Sequence, residues 1–410
     1  MQPKMLVVFV KKLWLKRFKI LNTANMSSYS QLKPQKVLFI ATRQIGDVLV
    51  TTPLISKARE LWPDAEFHFL GYRGKVDMLH GNPDIAEIIE TSDRPGFGEY
   101  LSLFNRLFQR YDLAVVTQPS DRAYIYGLVA AFRRVGVLSG HPQGKDVAGK
   151  SKKSKSEKQN AWKKFICMGT VDVDYFQQHV ITEKLRLLET FFRNPSELFS
   201  KPIAVTPPAG EPLTPAITNA LHQPYVVVHA GPLTAYKRWP LGHWVNLITW
   251  LAKEGYQVVL SASPAKQDIQ LNHDITSLLD DATRVKVIDA AGQLTIPQAG
   301  TLIRGAALYI GVDTSITHLA AACNTPTITL FGATPPSNFG PWPNGFIGKQ
   351  PYELKARTQT VGNVTILQGP GECVPCRKAG CDDRADSRSE CLDLLEPSQV
   401  IEAAKKALQK

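Results

Sequence analysis

At 410 residues the chain exceeds what one ordinary core holds, so two domains of somewhat under 200 residues each are expected. With 44% hydrophobic and 20% charged residues it has an ordinary globular composition, enough for two well-formed cores. The formal net charge of +12 points to a polyanionic partner, be it nucleic acid, an anionic membrane surface or a phosphorylated substrate.

Residues 1–35 read as a basic extension. In "MLVVFVKKLWLKRFKIL" the apolar run is interrupted by Lys11, Lys12, Lys16, Arg17 and Lys19. It is too short and too charged for a span of about 20 apolar residues, and its order of basic and apolar residues does not suit a signal peptide. Two readings stand for residues 1–25: a basic helix resting on anionic lipid, or an extension translated from a start upstream of Met26. Either way a cytoplasmic protein is expected.

From Lys36 strand and helix alternate as in a parallel sheet. "KVLFIAT" reads as a strand, "DVLVTTPLISKARELWP" as one helix with Asp47 near its N-cap, and "AEFHFLGY", "IAEIIE" and "DLAVVTQ" as further strands. The helical "EYLSLFNRLFQRY" precedes the last of these, and "AYIYGLVAAF" and "RRVGVLS" complete a doubly wound half over residues 36–200. The Lys/Ser-rich residues 140–164 are expected to form a mobile surface loop, because they offer little apolar surface to bury. The Pro-rich residues 201–224 read as a linker. Residues 225–410 repeat the alternation, from "YVVVHAG" to "ALYIGVD", "SITHLAAAC" and "PTITLFGAT". Two Rossmann-like domains then face a cleft.

Neither half carries the G-x-G-x-x-G turn of a dinucleotide site or a P-loop, which disfavours dehydrogenases and NTPases. Polar residues gather instead at strand ends. Asp313, Thr314 and Ser315 open a helix whose unpaired N–H groups attract phosphate, and His318 lies one turn further in. The alternative is ordinary capping by Asp or Thr beside a structural histidine. Lys237 and Arg238 add cations in a strand-to-helix loop, and Asp47, next to Gly46, is either an N-cap or a functional carboxylate.

In that order, "RQIGDVLVTTP", "HAGPLTAYKRWP" and "YIGVDTSITHLAAACNTPTITLFGAT" resemble glycosyltransferase family 9, the ADP-heptose:lipopolysaccharide heptosyltransferases. The C-terminal "NVTILQGPGECVPCRKAGCDDRADSRSECL" is most similar to the heptosyltransferase III branch. The resemblance implies a GT-B fold, with the acceptor on the first domain and the nucleotide sugar on the second. It also implies inverting transfer to the lipopolysaccharide inner core without a catalytic metal. By position, Asp47 matches the general base, and Lys237, Asp313, Thr314, Ser315 and His318 match phosphate-binding positions. Gly231 and Pro232 stand where many relatives carry hydroxyl residues, so a phosphate contact is expected to move to Thr234; Ser315 stands where Gly is frequent.

An anionic acceptor beside a membrane accounts for the positive charge. The basic extension and the Lys-rich segment are expected to rest on the inner face of the inner membrane. Nucleic acid is disfavoured, since no recognition helix or aromatic-interleaved basic platform appears. Two other readings are a transferase of another nucleotide-activated sugar and a catalytically inert protein that binds nucleotide sugar or lipopolysaccharide. Cys373, Cys376, Cys381 and Cys391, spaced C-x2-C-x4-C-x9-C, allow a structural zinc or free thiols; disulfides do not suit the cytoplasm.

Overall fold

The computed structural model describes residues 26–140, 153–232, 234–384 and 386–409. The first sheet is parallel throughout: β1 (Lys36–Ala41), β2 (Glu66–Tyr72), β3 (Glu87–Thr91), β4 (Tyr111–Val116), β5 (Ala131–Leu138) and β6 (Gly169–Asp172), in the order β3-β2-β1-β4-β5-β6. The second contains β7 (Tyr225–His229), β8 (Gln257–Leu260), β9 (Val287–Asp289), β10 (Leu308–Val312), β11 (Thr327–Phe331), β12 (Thr358–Val361) and β13 (Val364–Gln368). Its order is β12-β13-β11-β10-β7-β8-β9, with β12 antiparallel at the edge. Both sheets therefore reverse direction beside their first strand, at β1/β4 and at β7/β10. Loops leaving the carboxyl ends of those four strands diverge there and open a crevice, the usual ligand site of such sheets.

The strands are near-continuous apolar runs because helices cover both faces. In β1 every residue from Val37 to Ala41 is fully buried. One apolar cluster joins the two domains, running from Val37 and Phe39 through Ile203 and Val205 to Leu319 and Trp342. The linker contributes directly: Ile203 pairs with Phe346 in an isolated bridge, and Thr206 N–H donates to Thr52 Oγ1 at 2.9 Å. Residues 201–224 are thus an anchored crossing that includes the helix Pro215–Ala220.

Two expectations are corrected. The single helix after β1 is two, Ile45–Leu49 and Thr52–Leu61. The break has a local cause. Thr51 and Thr52 hydroxyls donate to the carbonyls of Asp47 and Leu49, at 2.7 and 2.9 Å, and Pro53 has no N–H to continue the first helix. The Lys-rich segment is only partly a loop. Residues 141–152 lie outside the described residues, but Lys153–Ile166 is a helix that lays Trp162 edge-on to Tyr124 and buries Asn160 and Lys163. The expectations for residues 1–25 also fall outside the described residues. Among the described residues no helix is long and apolar enough to cross a membrane.

Candidate active site

Asp47 is the third residue of the short helix after β1, whose cap is Gln44 in extended conformation. Its side chain makes no capping bond, so the N-cap alternative does not apply. Among the described residues, no donor or cation bonds the half-buried Asp47 carboxylate. It lines a small cavity with Arg43, Thr117, Gln118, Glu183, Lys184, Asn338 and Phe339, drawn from both domains. Gly46 brings the helix close to the second domain: a β-carbon there would stand 3.4 Å from that of Ser315. The Asp47 helix and the helix Ser315–Ala322 therefore meet across the cleft.

Lys184 and Glu183 lie in the charged run "TEKLRLLE", which carries no local signal of a site. Lys184 is 2% exposed and donates to the Thr117 carbonyl at 3.2 Å. Burial pulls its amine down to about 8, against the pull of Asp47 and Glu183. Burial likewise pushes the Glu183 carboxyl up to about 8, although it accepts the Asp174 N–H at 2.6 Å. The helix Val180–Leu185 that carries both is capped by fully buried His179, whose Nδ1 accepts from Ile181 N–H at 3.2 Å. Its Nε2 donates to the Gly340 carbonyl of the second domain at 2.8 Å. Burial lowers His179 to about 3 and His229 to about 4.

These shifts give a signed pH dependence. Between an unfolded value near 6.5 and their folded values, both histidines are neutral when folded and take up protons on unfolding, so stability falls as pH falls through that window. Glu183 runs the other way from about 8 down to an unfolded value near 4.5, since the folded state keeps the proton, and it offsets one histidine. The net expectation from these three groups is a loss of about 1.4 kcal/mol per pH unit from pH 6.5 to 5. Urea midpoints measured across that range should show Glu183→Gln steepening the loss and His179→Gln flattening it.

On the other side of the cleft, Lys237 closes the turn Ala235–Lys237 after β7, and Asp313 directly follows β10. The β7/β10 reversal makes them neighbours. Lys237 Nζ donates to Asp313 Oδ2 at 2.6 Å, with the Asp313 side chain 9% exposed. Burial alone would raise the Asp313 carboxyl, but the Lys237 charge and hydrogen bond, helped by His318, hold it below its ordinary value. Burial opposes the Lys237 ammonium, and Asp313 outweighs it and raises the amine. His318 is lowered by burial, with Asp313 opposing, and its buried Nδ1 has no hydrogen-bond partner among the described residues.

Thr314 is the extended cap of the helix Ser315–Ala322 but makes no side-chain capping bond, leaving the first N–H groups open to the cleft. Thr234 opens the Lys237 turn, and its carbonyl accepts the Lys237 N–H at 3.2 Å. A β-carbon at Gly231 would come within 3.1 Å of the Asp268 carboxyl carbon, so the absence of a side chain there fits the buried Asp268.

Lys237 and Asp313 line a cavity of about 240 Å³ with Tyr236, Thr334, Asn338, Arg377 and Lys378. The last two belong to the cysteine segment, between Cys376 and Cys381. Cys373 and Cys381 are exposed, Cys376 half-buried and Cys391 buried; all are free, and burial, with the three neighbouring thiols, pushes Cys391 up to about 11. Among the described residues no three His, Cys, Asp or Glu side chains gather so as to hold a metal ion.

The sequence profile described as glycosyltransferase family 9 (heptosyltransferase) matches residues 147–355. Lipopolysaccharide heptosyltransferase 3 of Escherichia coli is 30% identical over 311 residues, covering 74% of this chain and 85% of the relative. The chain belongs to glycosyltransferase family 9. The fold of this family 9 glycosyltransferase agrees with solved structures. E. coli ADP-heptose heptosyltransferase II superposes with a TM-score of 0.65 at 20% identity, over 91% of this chain and 98% of that one. A family 9 enzyme from Veillonella parvula gives 0.66 at 15% identity, over 92% and 98%. Two Rossmann-like sheets facing a cleft, the GT-B architecture, are common to them.

Proposed function

We propose that this glycosyltransferase moves a heptose from ADP-heptose to the inner core of lipopolysaccharide, inverting the anomeric centre without a metal ion, with Asp47 as general base. The relatives are named as lipopolysaccharide heptosyltransferases, and one observation carries the chemistry. A carboxylate without a bonding partner faces, across the close approach of Gly46 to Ser315, a helix start and a paired lysine. The acceptor hydroxyl passes its proton to Asp47 while its oxygen bonds the anomeric carbon. The bond from that carbon to the β-phosphate oxygen breaks on the opposite face, and the electron pair leaves with ADP. Lys237 and the open N–H groups at Ser315 meet the growing charge, with the Thr314 and Thr234 hydroxyls and the His318 ring nearby.

On the acceptor side a polar cavity of about 430 Å³ is lined by Tyr72, Asp93, Ser120, Asp121, Arg122 and Lys163 at strand ends of the first sheet. Its charges pair within the wall, Lys163 with Asp121 at 2.6 Å and Arg122 with Asp93 at 3.9 Å, so it suits a hydroxyl-rich sugar. The basic residues of 1–35 and of the Lys-rich segment rest on anionic lipid in this reading, and unchanged liposome binding after deleting both overturns that part.

The test is transfer from ADP-heptose to inner-core lipopolysaccharide lacking its branch heptose, read by mass spectrometry. A gain of one heptose, undiminished by EDTA, is expected. Binding of ADP-heptose without transfer points to another acceptor or an inert binder, and no binding overturns the donor.

A further inference from the structure

The cysteine segment does more than fold back from β13. Arg377 N–H donates to the Ala333 carbonyl at 2.8 Å, and Ser389 Oγ donates to the Tyr236 carbonyl, next to Lys237, at 2.7 Å. Lys355 Nζ holds its start through the carbonyls of Gly371 and Glu372, at 2.9 and 3.1 Å. The segment is therefore tied to both rims of the Lys237–Asp313 cavity, and Arg377 and Lys378 form part of its wall.

Three features set Arg377 apart from an ordinary surface cation. Its backbone has a φ of 58°, a region that long L side chains rarely occupy. Its guanidinium lies 4.2 Å from the ring centre of Tyr175 and 4.9 Å from that of Phe176, both on the first domain. Among the described residues no carboxylate pairs with Arg377 or Lys378. The cavity wall thus holds three cations, Lys237, Arg377 and Lys378, against one carboxylate, Asp313, which Lys237 already engages. Asp174 acts on Arg377 from outside the wall, but the wall itself keeps an excess of two positive charges, which matches a diphosphate, and a planar guanidinium is the side chain best shaped to bridge its oxygens.

We propose that Arg377 is a further catalytic residue, binding the diphosphate of the sugar donor from the cysteine segment, with Lys378 beside it. The stack on Tyr175 and Phe176 holds the guanidinium at the leaving group and fastens the acceptor domain over it. This rests on the donor being a nucleoside diphosphate sugar, as proposed above.

The test measures, by calorimetry on the full chain, binding of nucleoside diphosphate, monophosphate and nucleoside. The base is whichever of ADP, GDP or UDP the wild type binds. Arg377→Ala is expected to weaken the diphosphate by about ten- to a hundredfold, the monophosphate far less and the nucleoside not at all, with Arg377→Lys in between. A fall by one common factor for all three, or an unchanged diphosphate affinity, overturns the assignment while leaving the donor class intact. A wild type that binds none of the three diphosphates overturns both.

Discussion

Asp47→Asn is expected to slow heptosyl transfer by about two to four orders of magnitude while leaving ADP affinity within about twofold of wild type. Asparagine keeps the size and the polar outline of the side chain but cannot accept the hydroxyl proton. The substitution is clean for a structural reason: no hydrogen bond or ion pair reaches the Asp47 carboxylate among the described residues, and it does not cap its helix. Its own helix and the neighbouring Thr51 bond, which uses the Asp47 carbonyl rather than the carboxylate, remain intact. Single-turnover rates with bound donor isolate the chemical step, and thermal midpoints check the fold. A rate within about threefold of wild type, with ADP still bound, removes Asp47 as the base and turns attention to Glu183 in the same cavity.

Much of this fold can be read along the chain, because apolar strands and amphipathic helices announce themselves by period. What escapes the reading has identifiable physical causes. The helix after β1 breaks where two threonine hydroxyls compete for its carbonyls ahead of Pro53. The Lys-rich segment folds from residue 153 as a helix in which Asn160 and Lys163 share a buried face and Trp162 packs edge-on to Tyr124; Lys163 is buried by donating to the Pro119 carbonyl and pairing with Asp121, each at 2.6 Å. Composition reports the charges but not that geometry.

The site divides in the same way. Asp47, Lys237 and the residues from Asp313 to His318 are legible in the sequence because they follow strands in recognisable motifs. Their mutual arrangement is topological. Lys237 and Asp313 are 76 residues apart and meet only because β7 and β10 are neighbours at the sheet's reversal. Lys184 and Arg377 carried no local signal: one looks like part of a helical charge run and the other like a spacer between cysteines. Each is brought to the cleft by contacts within its own domain, Lys184 by its bond to the Thr117 carbonyl and Arg377 by its bond to the Ala333 carbonyl.

The second large effect is expected at Lys237. In the proposed site, Lys237→Ala removes a cation from the leaving group, and it leaves the Asp313 carboxylate buried without its partner. A loss of about 100- to 1000-fold in kcat/KM is expected, together with weaker ADP binding, since breaking one half of a buried pair costs more than the pair itself contributes. The two contributions separate in two ways. Asp313→Ala added to Lys237→Ala removes the stranded charge, so the double variant should bind ADP more tightly than the single one, a non-additivity that a double-mutant cycle reads directly. Acidification is the other probe. Lys237 is what holds the Asp313 carboxyl down against burial; without it the carboxyl rises, and acidification neutralises it progressively. The ratio of wild-type to Lys237→Ala affinity for ADP should therefore shrink as pH falls. A ratio that stays constant with pH, beside an additive double variant, means that Asp313 does not face the phosphates and that the lysine acts alone.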